Sequence, residues 1–150
     1  MRRTDRQLST EDAISILRDA EFGVLSTISK NGVPYGVPLS YCLIEKYIYF
    51  HSATEGHKIN NITENSKVSF CAVKNTRVLP EKFGTKYESV IVSGMASEVF
   101  SEEKQLALEG LLSKYSSEYF QEGLKYIQNL NDRTRVFKIS MDTISGKARR

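Results

Sequence analysis

Three apolar-rich runs follow one another at intervals too short to hold crossover helices: Phe22 to Ser29, Tyr35 to Ile44 and Tyr47 to Ala53. Asn31-Gly32 lies between the first two and is a tight-hairpin signal. Glu45-Lys46 lies between the second and third, without the glycine that such turns favour. Strands joined by short turns pair antiparallel, so this stretch predicts a sheet that closes into a barrel with helices packed on its ends. The middle run alternates Tyr35, Val37, Leu39, Tyr41 and Leu43 against Gly36, Pro38, Ser40, Cys42 and Ile44, giving one bulky face and one mostly small face.

The rest of the chain supplies the helices and the remaining strands. Ser9-Thr10-Glu11-Asp12 reads as an N-cap with acids in the first turn, ahead of a stripe of Ala13, Leu17 and Ala20 with Ile14 and Ile16. Ile59 and Ile62 stand three apart within His57 to Glu64, which fits two turns of helix. Lys67 to Lys74 is a further strand, Asn75 to Lys86 has the composition of a loop, and Tyr87 to Phe100 returns to strand character. Gly94 inside that last strand marks a bulge or a close backbone approach. Ser101-Glu102-Glu103 caps a helix carrying Leu108, Leu111, Leu112 and Tyr115, a second helix carries Phe120, Leu124, Ile127 and Leu130, and the last strand runs from Arg135 to Met141. The expectation is a mainly β, α+β chain: one domain over 1–150, a six-stranded antiparallel barrel, and a helical insertion at about 101–131.

At 150 residues, 40% hydrophobic and 26% charged, the chain is long enough to bury a core and is neither collagen-like, mucin-like nor disordered. Its 21 basic against 18 acidic residues leave +3, which admits an anionic small ligand and falls short of a nucleic-acid footprint. Cys42 and Cys71, with no CxxC spacing and no Cys/His cluster, indicate neither a metal site nor a disulfide framework and read as small core residues. Met1-Arg2-Arg3 is followed by polar sequence, and no window approaches 18 uncharged apolar residues, so a cytoplasmic protein without a membrane segment is expected. The basic ends, Arg2, Arg3 and Arg6 with Lys147, Arg149 and Arg150, read as solvated tails, with Lys147 able to approach a ligand.

The most informative segment for chemistry is Tyr49 to Lys58, which runs from a strand end through a glycine turn into a helix N-terminus. Unpaired amides and the helix dipole favour an anion there. Gly56 lets the backbone come close, Ser52 and Thr54 supply hydroxyls, and Lys58 supplies a full positive charge suited to phosphate. The plainer alternative is that His57 and Lys58 are solvated and that Ser52 or Thr54 merely caps the helix. His51 is either close to chemistry or a hydrogen-bonded strand-end residue. Tyr35, Tyr41, Tyr47 and Tyr49 suit barrel and interface packing better than base stacking. No dinucleotide fingerprint, P-loop, Ser-His-Asp order, catalytic carboxylate pair or HExxH occurs.

His51-Ser52-Ala53-Thr54-Glu55-Gly56-His57-Lys58 has the form H-x-A-x-x-G-x-K, and with it the chain resembles the nitroimidazole-reductase branch of the pyridoxamine 5′-phosphate oxidase-like flavin-binding proteins. The likeness extends to Phe22-Gly23-Val24-Leu25-Ser26-Thr27, to Pro34 through Tyr41, to Tyr87 through Ala96, and to Ile144-Ser145-Gly146-Lys147. It implies an FMN-binding split β-barrel that forms a homodimer with two equivalent, composite flavin clefts. Carried over, Lys58, His57 and Ser52 would hold the phosphate, Pro38, Leu39 and Ser40 would present backbone groups to the ring edge, His51 would lie near the flavin, and Ala53 would join the cofactor-binding set. Ser89, Ser93 and Gly94 would come from the strand across the interface. Relatives often carry Asp-Gly where this chain has Glu45-Lys46, which affects only the hairpin geometry.

The implied activity is FMN-dependent reduction of a small electron-poor molecule, such as a nitroimidazole or another nitroaromatic, drawing on a separate electron donor. The small face of Gly36, Pro38, Ser40 and Cys42 suits either a flat ring lying on the strand or close packing. A flavin-binding or sensor module without turnover is the first alternative, and a small barrel that binds nucleic acid is the remote one. Oxidation of pyridoxamine phosphate itself is less expected, because a longer arginine-rich C-terminal segment is missing from the sequence.

Overall fold

The computed structural model describes residues 1–150, the side chain of Asn131 excepted. In chain order its elements are α1 (Thr10–Asp19), β1 (Gly23–Ile28), β2 (Pro34–Leu39), β3 (Cys42–Ile44), β4 (Tyr47–Ser52), α2 (His57–Glu64), β5 (Lys67–Leu79), β6 (Gly84–Val99), α3 (Ser101–Tyr115), α4 (Phe120–Leu130), β7 (Arg135–Ser140) and β8 (Thr143–Arg149). The fold is mainly antiparallel β with helices, an α+β split barrel. Strands pair in the order β2-β1-β5-β6-β7-β4-β3, with β8 added on β6. That path ends at β2 and β3, so the sheet is not closed, contrary to the expectation of closure.

Strand β6 makes the split. Its first part pairs with β5 as far as Met95 opposite Lys67, and from Ala96 it pairs with β7 instead. Gly94 stands at this change of partner, where a Cβ would fall 1.7 Å from the Ser140 carbonyl oxygen. Only a residue without a side chain lets the two backbones approach that closely. The close approach expected at Gly94 is therefore present.

Two cores result. One fills the barrel with Leu25, Tyr41, Ile48, Phe50, Phe70, Val90, Val92 and Ile139, closed at one end by Ile16 and Leu17 of α1. Helix α1 begins at the expected cap, with Ser9 Oγ accepting from the Asp12 amide at 3.1 Å. The second core lies outside the sheet, where Tyr49, Val99 and Val136 meet Ala107, Leu108, Leu111 and Ile127 of α3 and α4.

Four local expectations change. The run Tyr35 to Ile44 is not one strand: it breaks at Ser40 and Tyr41, both backbone groups of Tyr41 bond the Tyr115 hydroxyl, and Tyr41 and Cys42 are both buried. Asn75 to Lys86 is not a loop, because β5 and β6 continue as a hairpin to a short 3₁₀ turn at Pro80–Lys82, with one register shift between Lys74 and Arg77. The basic C-terminus is not a loose tail: β8 pairs with β6 from Thr143 to Arg149, and Arg150 Nε donates to Glu88 Oε1 at 2.6 Å. These changes raise the strand count from six to eight. Finally, no side-chain hydrogen bond caps α3, so Ser101 opens that helix rather than capping it. Among the described residues, no helix is long and apolar enough to cross a membrane.

Candidate functional site

Side-chain alternation along β4 sets the site. Ile48 and Phe50 point into the barrel core, while Tyr49 joins the core beneath α3. His51 therefore faces the helices and Ser52 faces the barrel. Ser52 is 4% exposed, and its Oγ is buried with no hydrogen-bond partner. A buried hydroxyl left in that state is costly unless a ligand completes it.

The turn after β4 is held from β7. Thr134 Oγ1 donates to the Ser52 carbonyl at 3.1 Å, and Arg135 Nη1 donates to the Thr54 carbonyl at 3.2 Å. Arg135 is itself fixed by a two-pronged contact with Glu98, both bonds at 2.8 Å. That contact draws the Glu98 carboxyl below its usual pKa and raises that of Arg135. Gly56 then takes φ +153°, with nothing within 4 Å of the place a Cβ would occupy, and α2 starts with no side-chain cap. The capping alternative for Ser52 and Thr54 is thus set aside. First-turn amides at an uncapped start are available to an anion. Helix α2 is seated by Ile59 and Ile62, both buried, and by Asn61 Nδ2 donating to Thr27 Oγ1 at 2.9 Å.

Lys58 lies close enough to His51 for its charge to matter. His51 is an exposed residue that also lines the cavity wall, and partial desolvation first, then the Lys58 charge, lower its pKa from the usual 6.5. The His57 ring stacks on Tyr35, with centroids 4.1 Å apart and planes 23° apart.

A cavity of about 360 Å³ gathers Ser40, His51, Ser52 and Ala53 on one wall and Leu108, Leu111, Tyr115, Tyr126 and Leu130 on the other, with Arg133 and Thr134 at its edge. Pro38 lies exposed on the neighbouring face of β2, and Leu39 is half-buried against the barrel core. Larger hollows exist beside Phe100 and Lys104 and beside Asp19 and Glu21, but neither contains His51, Ser52 or the turn before α2. The structure does not bring Ser89, Ser93 and Gly94 into this cavity. Ser93 and Gly94 line a separate one of about 480 Å³, and Ser89 Oγ donates to the Lys147 carbonyl at 3.3 Å.

The helical wall was absent from the sequence-based set of site residues. The spacing of Leu108, Leu111, Leu112 and Tyr115 marked a helix, and nothing in the spacing distinguished a cavity wall from an ordinary core face. Tyr115 does more than pack. Its hydroxyl donates toward the carbonyls of Glu21, at 2.5 Å, and Tyr41, at 3.0 Å, and accepts from the Tyr41 amide at 3.1 Å. This pins the end of α3 to the break between β2 and β3, next to Ser40.

Fold and site together define a split antiparallel barrel with an uncapped helix start at a strand-to-helix turn. The pyridoxamine 5′-phosphate oxidase family model matches residues 9–148, and the chain belongs to that family. It is similar in structure to a conserved hypothetical protein of Mycobacterium tuberculosis (TM-score 0.82, 18% identity, 97% of this chain and 88% of that one). A candidate 5-nitroimidazole antibiotic resistance protein of Bacteroides thetaiotaomicron gives TM-score 0.77 at 22% identity, over 94% of this chain and 85% of the other. An FAD-binding protein of Mesorhizobium loti gives 0.69 at 23% identity, over 94% and 93%. A comparison with curated proteins found no significant match.

Proposed function

We propose that the protein is an FMN-binding flavoprotein that reduces a small, electron-poor molecule such as a nitroaromatic. The observation that carries this reading is the buried, unpartnered Ser52 hydroxyl directly before the uncapped start of α2. A phosphate fits that cradle: the α2 amides and Ser52 supply hydrogen bonds, Lys58 supplies charge, and Gly56 keeps the approach clear. His57 would close the phosphate end from its stack on Tyr35, and Pro38, Leu39 and Ser40 would border the ring. A single terminal phosphate suits this cradle, and the glycine fingerprint for a pyrophosphate is missing from the sequence, which favours FMN over FAD.

A bound flavin supplies the electron transfer. The residues of the chain do the rest. His51, whose pKa is drawn below the usual 6.5 by partial desolvation and the Lys58 charge, faces the helical cavity and is the group placed to donate a hydrogen bond to a substrate. The leucines of α3 and α4 keep water away from that encounter.

A homodimer with composite sites completes the proposal. Alternation along β6 puts Ser89, Ile91, Ser93 and Met95 on one outer face, where Ile91 is 50% and Met95 45% exposed. Ile91 pairs with Cys71 and Cys71 with Val24, and the exposed Val73 lies on the same face of β5. A second copy covering this face would carry Ser89 and Ser93 into contact with its partner, whereas Gly94 lies on the opposite, buried side of β6. The test is the visible spectrum of purified protein, identification of the released cofactor by chromatography, and sedimentation. A flavin spectrum, released FMN and a dimer are expected. Absence of flavin uptake on reconstitution, or a flavin-loaded monomer, would overturn the corresponding part.

A further inference from the structure

We infer that the ion pair of Glu98 and Arg135 is a positioning element for the phosphate cradle: it fixes the Thr54–Glu55 peptide, leaves that unit's N–H to the ligand, and so raises the preference for FMN over riboflavin. This deepens the phosphate reading above and rests on it. Beyond its change of partner, β6 runs beside β7 with Glu98 opposite Phe137. Arg135 stands two residues before Phe137, so it shares a face with Glu98 as its diagonal neighbour. On the other side of β7, Arg135 is paired directly with Ser52. The Arg135 side chain and the unpartnered Ser52 hydroxyl therefore leave the sheet on the same face.

The guanidinium is fixed before it meets the turn. Nε and Nη2 each donate to Glu98 at 2.8 Å, and the guanidinium carbon lies 5.4 Å from the centre of the Phe137 ring. Because the group is planar and rigid, holding two of its nitrogens aims the third, and Nη1 donates to the Thr54 carbonyl at 3.2 Å. A trans peptide points its C=O and N–H in opposite directions. With the Thr54 carbonyl held on Arg135, the Glu55 N–H points away from Arg135, and it has no hydrogen-bond partner among the described residues. That amide directly precedes Gly56 and the uncapped first turn of α2. Both Glu98 carboxylate oxygens are engaged by Arg135, so what Glu98 contributes to the turn passes through Arg135.

Titration of the flavin-free wild type, Arg135→Gln, Glu98→Gln and the double variant with FMN and with riboflavin tests this, with urea denaturation of each as the folding control. Arg135→Gln should weaken FMN binding about five-fold and leave riboflavin within about two-fold, a modest factor because the pair is partly exposed. Glu98→Gln should shift the ratio in the same direction, and the double variant should lose no more than Arg135→Gln alone, since one residue acts through the other. Equal weakening of both flavins, as a merely structural role would give, or an unchanged ratio of FMN to riboflavin affinity, would overturn the inference. A wild type that binds the two flavins equally would overturn the phosphate reading instead. Backbone amide relaxation of Thr54 to Gly56 in the flavin-free protein then decides the positioning: greater mobility in Arg135→Gln than in wild type supports it, and equal mobility overturns it.

Discussion

The two walls of the cavity do different work with different materials. The β4 wall is formed by consecutive residues, His51, Ser52 with its unpartnered buried hydroxyl, and Ala53, and the Gly56 turn and Lys58 follow it in sequence at the start of α2. The α3 to α4 wall is apolar and assembled from side chains scattered between Leu108 and Leu130. On the proposed function the first would supply charge and hydrogen bonds, and the second would exclude water and shape the space. Changes in the first should alter chemistry or cofactor affinity with little effect on folding, and changes in the second should do the reverse.

The largest expected effect is on the polar wall. His51→Asn keeps a hydrogen-bonding side chain but removes the titrating ring. It should slow reoxidation of the reduced flavin by a nitroaromatic by roughly 10²-fold, with FMN affinity nearly unchanged. Anaerobic stopped-flow measurements on both proteins give the comparison, and equal rates would reduce His51 to a packing residue.

On the helical wall, Tyr115→Phe retains the ring and deletes the hydroxyl that bonds Tyr41 and Glu21. Stability should fall by about 1–2 kcal/mol, as for the loss of partly buried hydrogen bonds, while FMN affinity stays within about two-fold. Denaturant titration with and without FMN separates the two quantities. Weaker FMN binding with undiminished stability would show that the walls are not independent.

The smallest effect concerns pH. Because folding lowers the His51 pKa, the unfolded chain binds the proton more readily. The stability tied to His51 is present above about pH 6.5 and is lost as pH falls through the folded-state pKa. His51→Asn should therefore lose less stability than wild type between pH 7.5 and 5, the carboxylate contributions being common to both. Parallel pH profiles would contradict the desolvated setting of the ring.

The strand end, glycine turn and helix start between His51 and Lys58 were legible because Gly56 breaks the strand and Ile59 and Ile62 set the helical period after it. The close approach at Gly94 was legible for a similar reason, since only glycine fits 1.7 Å from a carbonyl oxygen. The apolar wall could not be separated from core, because a helical stripe serves either purpose. Two stretches of strand were missed for want of a hydrophobic period. Asn75 to Val78 is exposed throughout, and Thr143 to Arg149 has a single large apolar residue, Ile144. Both are held by backbone pairing with β6, which leaves no mark in composition. The break at Ser40 and Tyr41 depends on Tyr115, 74 residues away, and no local pattern could announce it.

The cradle at the start of α2 is tested most directly by comparing FMN, riboflavin and FAD binding to the flavin-free protein, wild type and Lys58→Ala. FMN should bind wild type roughly 10- to 100-fold more tightly than riboflavin, as expected for charge-assisted bonds to one phosphate, and Lys58→Ala should close most of that gap. Riboflavin binding as tightly as FMN, or exclusive uptake of FAD, would show that the segment from His51 to Lys58 does not hold a terminal phosphate.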